Sequence, residues 1–184
     1  MKRILFFGDS LTAGYGLNDP SVESFPALIQ QKINAEKLPY EGVNAGLSGD
    51  TSAGGLNRLN YWLAGKVDVF ILELGANDIM RGVPPPVTFK NLEMILSKVR
   101  AKYPEAKLVL MGMEIPEVIS GAMAAEFRGI FRKLADTYHM AFVPFFLDGV
   151  IGQPHLNLMD GFHPSAMGYQ VIADKTWKVI RTML

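Results

Sequence analysis

Five short apolar runs recur along the chain, each followed by a longer stretch of helical period, and this alternation limits the fold more than any other feature. The runs cover residues 3–7, 41–44, 67–74, 107–113 and 141–145, and most lack the apolar/polar alternation of a half-exposed strand. A strand that is apolar on both faces belongs in a parallel sheet covered by helices on each side. The β-α-β-α order builds such a sheet through right-handed crossovers. Helices are expected over residues 25–36, 54–64, 87–103, 122–139 and 164–183. In the third, Leu92, Ile95, Leu96 and Val99 make one apolar face, with Lys90, Lys98 and Arg100 outside it. Phe127, Ile130, Phe131 and Leu134 repeat that spacing in the fourth, and both stripes read as core. The expected class is α/β, an open, doubly wound, five-stranded parallel sheet. A chain of 184 residues can bury roughly 70% of its unfolded surface in one core. Pro84-Pro85-Pro86 is too brief to separate domains and stiffens a helix entry, so residues 1–184 are expected to form a single domain.

Several function classes lose their support at this level. The 18 Lys and Arg balance 18 Asp and Glu, and no basic face emerges that would bind a nucleic-acid backbone. The absence of cysteine removes thiolate nucleophiles and Cys-based zinc sites. Residues 67–74 and 140–150 are the most apolar stretches, yet they carry Asp68, Glu73, Pro144 and Asp148, and neither reaches the roughly 18 residues of a membrane span. Lys2-Arg3 is followed by only four apolar residues before Gly8-Asp9, short of the roughly seven that a secretory signal needs. The expected location is the cytoplasm for the chain as given, or the periplasm or exterior if a signal has been trimmed.

Ligands of open α/β sheets bind beyond the carboxyl ends of the strands, so the residues just after each run carry the information. Gly8-Asp9-Ser10 follows the first, Ala45-Gly46-Leu47-Ser48-Gly49-Asp50 the second and Gly75-Ala76-Asn77-Asp78 the third. Ser10 has two readings: an N-cap of the following turn, or a nucleophile in the positive field of helix amides. A serine hydroxyl needs a base, and the base needs a carboxylate to hold its tautomer. Of the three histidines, His139 falls at a helix end and His155 in a loop with no carboxylate within four residues. His163 sits in Asp160-Gly161-Phe162-His163-Pro164, where Gly161 permits a tight turn and Pro164 suits the first position of the last helix. An oxyanion site needs fixed donors, which the Asn77 side chain and a glycine amide, at Gly46 or Gly49, can supply. Ser48 competes as nucleophile, but the G-x-S-x-G elbow fails because position 50 is Asp. No phosphate loop, S-x-x-K or H-E-x-x-H is present.

Taken in order, Gly8-Asp9-Ser10-Leu11, Ser48-Gly49-Asp50-Thr51, Gly75-Ala76-Asn77-Asp78 and Asp160-Gly161-Phe162-His163-Pro164 resemble the four blocks of the SGNH, or GDSL, family of serine hydrolases. The phrasing is most similar to its bacterial arylesterase, acyl-thioesterase and lysophospholipase group. The resemblance implies a three-layer α/β/α flavodoxin-like fold and hydrolysis of esters or thioesters with no metal or other cofactor. It implies Ser10 as nucleophile, His163 as base and then acid, and Asp160 as the orienting carboxylate. The oxyanion donors would be the Ser10 and Gly49 amides and the Asn77 side chain, Gly49 being the better match to the second block. Asp9 and Asp78 are read as residues that fix loop geometry. Ile79, Met80, Ile115 and Pro116, with Val83, Pro84, Val118 and Ile119, are candidates to line an acyl site. The expected partner is a small-molecule ester of a small to medium acyl group. The alternatives are an acyltransferase using the same triad and a non-catalytic flavodoxin-like domain that binds FMN or another small ligand.

Overall fold

The computed structural model describes residues 1–114 and 121–184. All five expected runs are strands: β1 (Lys2–Gly8), β2 (Tyr40–Gly46), β3 (Val69–Glu73), β4 (Lys107–Met111) and β5 (Ala141–Val143). Every pairing is parallel and the order is β2-β1-β3-β4-β5, the flavodoxin-like arrangement. β4 and β5 end two residues before the expected limits because the chains turn there. Met113 and Phe145 instead make an isolated antiparallel bridge.

Eight α-helices lie among the described residues: α1 (Ser10–Ala13), α2 (Pro20–Glu23), α3 (Phe25–Ala35), α4 (Ser52–Trp62), α5 (Ala76–Met80), α6 (Pro85–Lys102), α7 (Ala122–Thr137) and α8 (Ala166–Ile180). The five long ones were expected. Helices α1, α2 and α5 have four or five residues, too few to display a period in the sequence. Helix α8 begins at Ala166 rather than at Pro164, because the Ser165 hydroxyl accepts from the Gly168 amide as its cap. Pro164 lies in a bridge with Asn157 instead.

The layers follow from side-chain direction along β1. Phe6 meets Phe25 of α3 edge to face at 5.5 Å, and α3 in turn packs on α8. The next residue, Phe7, points to the opposite face, where Gly55 of α4 lies close to its ring. There α4 packs on α6 and α6 on α7. The stripes Leu92, Ile95, Leu96, Val99 and Phe127, Ile130, Phe131, Leu134 are buried against this face. No helix among the described residues is long and apolar enough to cross a membrane.

The order reverses at β1 and β3, so the chain leaves those neighbouring strands in opposite senses and opens a crevice between their carboxyl ends. The turn out of β1 is tight. A Cβ on Gly8 would lie 2.0 Å from Thr12 Oγ1 and 2.5 Å from the Glu73 carbonyl oxygen, distances that no side chain tolerates. Gly8→Ala is therefore expected to lower stability by about 2–3 kcal/mol, seen as a lower urea midpoint at unchanged slope; an unaltered midpoint would mean that the corner has slack.

Candidate active site

Asp9, not Ser10, caps α1. Its Oδ1 accepts from the Leu11 amide at 2.9 Å, which leaves Ser10 at the first helical position with its hydroxyl uncommitted to the helix. Ser10 Oγ instead lies 3.0 Å from His163 Nε2. His163 Nδ1 lies 2.6 Å from Asp160 Oδ2. With Nδ1–H donating to the carboxylate, Nε2 is left to accept from the serine.

The loop that carries this pair is organised by Asp160 itself. Its Oδ1 accepts from the Phe162 and His163 amides, both at 2.9 Å, and the His163 carbonyl accepts from the Leu158 amide at 2.8 Å. Burial raises the Asp160 carboxyl, but the hydrogen bonds from the His163 ring and the two amides outweigh it and hold it below the ordinary carboxylate range. The imidazole is flanked by two rings, Tyr15 at 4.7 Å and Phe162 at 5.2 Å between centroids. Tyr169 of α8 is fully buried and donates to the Leu11 carbonyl at 2.8 Å, so the helix that follows His163 also holds the helix that begins with Ser10.

On the other side of Ser10 stand the amide donors. Among the described residues, the Ser10 and Gly49 amides meet no acceptor. Gly49 has φ +80°, a left-handed conformation suited to glycine, and its carbonyl accepts from Arg81 Nη2 at 2.7 Å. Gly46 has a different task, since a Cβ there would lie 2.2 Å from the Ala13 amide nitrogen where α1 crosses β2. The Asn77 side chain donates to the Asp50 carbonyl at 2.9 Å and to Asp9 Oδ2 at 3.1 Å. Asp78 accepts from the Ser52 amide and hydroxyl and from Thr88, which ties α5 to the start of α4. Ile79 is partly buried against the core and Met80 is exposed. Ile115, Pro116, Val118 and Ile119 lie outside the described residues.

Three participants have no counterpart in the sequence expectations. Arg58 donates to Asp50 Oδ2 at 2.6 Å, to the Ala45 carbonyl at 2.8 Å and to the Gly8 carbonyl at 2.9 Å, and its guanidinium lies 4.1 Å from the Phe7 ring centroid. It joins the ends of β1 and β2 to the loop that contains Gly49. Tyr15 packs on the imidazole. Glu73 is buried beneath the nucleophile, with Oε2 accepting from Thr12 Oγ1 at 2.8 Å and from the Asp9 amide at 3.3 Å. The sequence carried one signal for either charge, Glu73 near the end of the apolar run 67–74.

Glu73 and Asp9 form a buried acid pair. Burial and then the neighbouring Asp9 charge push Glu73 well above the ordinary carboxyl range. A neutral acid accounts for a fully buried carboxyl whose Oε1 has no partner among the described residues. Burial raises Asp9 to about 6, against hydrogen bonds and the His163 charge that pull it down. Above that pH its carboxylate only accepts, which is what the Leu11 and Asn77 donors require.

The pair has a pH signature. A group raised in the fold binds its proton more tightly there than in the unfolded chain, so wild-type stability falls as pH rises from the ordinary 3.8 through about 6. Asp9→Asn lacks this loss. Its stability relative to wild type should improve by on the order of 2 kcal/mol between pH 4 and 7.5 in urea unfolding; a relative decline would mean that the fold favours the Asp9 carboxylate. The same variant turns a donor toward Asn77 and should slow any reaction that depends on that amide.

Comparison with known proteins reaches the whole of this framework. The profile of the GDSL-like lipase/acylhydrolase family matches residues 6–171. The chain is 35% identical over 184 residues to the esterase TesA of Pseudomonas aeruginosa, covering all of this chain and 90% of that one. It is 34% identical over 174 residues to an arylesterase of Vibrio mimicus, covering 94% of this chain and 85% of the other. A crystal structure of TesA superposes with a TM-score of 0.92 at 35% identity over the full length of both chains.

Proposed function

Because the chain belongs to the GDSL-like lipase/acylhydrolase family, we propose that it is a serine esterase that cleaves small to medium acyl esters through an acyl-serine intermediate. The observation that carries this reading is the continuous line from Ser10 Oγ through the His163 ring to Asp160, at 3.0 and 2.6 Å. Ser10 attacks the ester carbonyl while His163 Nε2 takes its proton, and Asp160 stabilises the imidazolium that forms. The imidazolium then protonates the departing alcohol. A water gives its proton to His163 and attacks the acyl carbon, and as the bond to Ser10 Oγ breaks the imidazolium returns that proton to Oγ and the acid leaves.

Negative charge develops on the carbonyl oxygen in both half-reactions. The Ser10 and Gly49 amides, which meet no acceptor among the described residues, are the first donors to it. Asn77 gives both hydrogens away in the free site, so its part requires that one of them turn to the new oxyanion. The other hydrogen stays on the Asp50 carbonyl or the Asp9 carboxylate and keeps the amide plane aligned.

Ester turnover should fall by about 10⁴ to 10⁶ in Ser10→Ala or His163→Ala and by about 10² to 10³ in Asn77→Ala. A p-nitrophenyl series from acetate to palmitate should peak at the short to medium chains in the wild type. A peak confined to the longest chains would overturn the size assignment. A fluorophosphonate that left Ser10 unlabelled would overturn the nucleophile and favour a binding domain.

A further inference from the structure

Tyr15 borders both Ser10 and His163. Its amide donates to the Ser10 carbonyl at 3.1 Å, while its ring lies 4.7 Å from the His163 ring at an interplanar angle of 47°. One residue thus touches both the nucleophile's backbone and the base's side chain. The ring is nevertheless 52% exposed, and its hydroxyl has no partner among the described residues. Neither hydrophobic burial nor a hydrogen bond accounts for an aromatic side chain there.

The turn that presents the ring is seated on the loop that carries the base. At Gly16 a Cβ would lie 2.3 Å from Leu158 Cδ1, and the Leu158 amide holds the His163 carbonyl. Nucleophile turn and histidine loop therefore meet without a gap beside Tyr15, and the ring's position relative to the imidazole is set from both sides.

Proton transfer dictates what passes this ring. As the tetrahedral intermediate collapses, the bond between the carbonyl carbon and the ester oxygen breaks, and His163 Nε2–H gives its proton to that oxygen. The oxygen must then lie within hydrogen-bond distance of Nε2, and its substituent extends along the imidazole away from the Gly49 and Asn77 donors. Phe162 meets the imidazole at 88° and is half-buried in the core, which leaves Tyr15 as the open wall.

From this geometry we infer that Tyr15 forms the leaving-group subsite and that the flat ring of a phenolic leaving group stacks on it, so that aryl esters are favoured over alkyl esters of the same acid. The inference rests on the esterase reading of Ser10 and His163. It concerns only the alcohol side of the ester; the acyl side is untouched by Tyr15. An aromatic pair of this kind contributes about three- to tenfold in an equilibrium or rate ratio.

The test compares phenyl acetate with ethyl acetate, which pass through one acetyl-enzyme, in the wild type, Tyr15→Ala, Tyr15→Leu and Tyr15→Phe. Intrinsic reactivity cancels when each ester is referred to its own wild-type value. In both Tyr15→Ala and Tyr15→Leu, kcat/KM for phenyl acetate should fall about three- to tenfold more than for ethyl acetate, with the p-nitrophenyl acyl-chain profile unmoved. Tyr15→Phe should keep the wild-type ratio. Phenol should inhibit the wild type and Tyr15→Phe competitively, and the Ala and Leu variants more weakly by a similar factor. Equal losses for both esters would reduce Tyr15 to a support for His163 and overturn the subsite, as would an unchanged ratio. A wild type that hydrolyses neither ester, or a Ser10→Ala protein as active as wild type, would instead overturn the esterase reading itself and the subsite with it.

Discussion

The 3.0 Å contact between Ser10 and His163 joins residues that are 153 positions apart, and most of the architecture serves to close that distance. A parallel sheet sends every strand's carboxyl end to one rim. The β2-β1-β3-β4-β5 order places the nucleophile strand beside the central one, so that the loops after β1 and β3 open toward each other. The return path from β5 brings the histidine loop to the same rim just before α8. Tyr169 then locks α8 onto α1 with a buried hydrogen bond, and the two ends of the chain hold each other in place.

This closure is held over a locally unfavourable foundation. Two carboxyl groups, Asp9 and Glu73, lie fully buried beneath Ser10, where an apolar pair would pack with less desolvation cost. Their retention makes sense through what they accept: the Leu11 amide that starts α1, the Thr12 hydroxyl, the Asp9 amide and the Asn77 side chain. A neutral Glu73 and an ionised Asp9 satisfy that set together. Stability is given up under the nucleophile in exchange for a hydroxyl and an amide that face the crevice in defined orientations, as strained or costly groups at reactive sites commonly are.

Much of this was readable from the residues, for reasons that differ by element. The strands announced themselves because burial on both faces leaves unbroken apolar runs, and the long helices because three to five turns are enough to show a stripe. Ser10 alone was ambiguous between cap and nucleophile, and the cap is taken by Asp9, one residue earlier. Gly49 was preferred to Gly46 as the better match to the second block; what no local pattern encodes is that Gly46 is demanded by the α1 crossing, while Gly49 has a left-handed backbone. Arg58, Glu73 and Tyr15 stayed hidden because each has a partner distant in sequence, Gly8 for Arg58, Thr12 for Glu73 and His163 for Tyr15. The short helices α1, α2 and α5 lacked the length to display a period.

Arg58 carries a wider meaning. By gripping two strand ends and Asp50 while resting on Phe7, it welds the corner that bears the nucleophile to the loop that bears Gly49, making them one rigid piece. Met80, at the end of α5, faces solvent. The contacts of Asp78 with Ser52 and of Arg81 with the Gly49 carbonyl fasten α5 to the same piece. The Ser10 and Gly49 amides are thereby set in place before any ester arrives, so neither has to reorganise as charge gathers beside them.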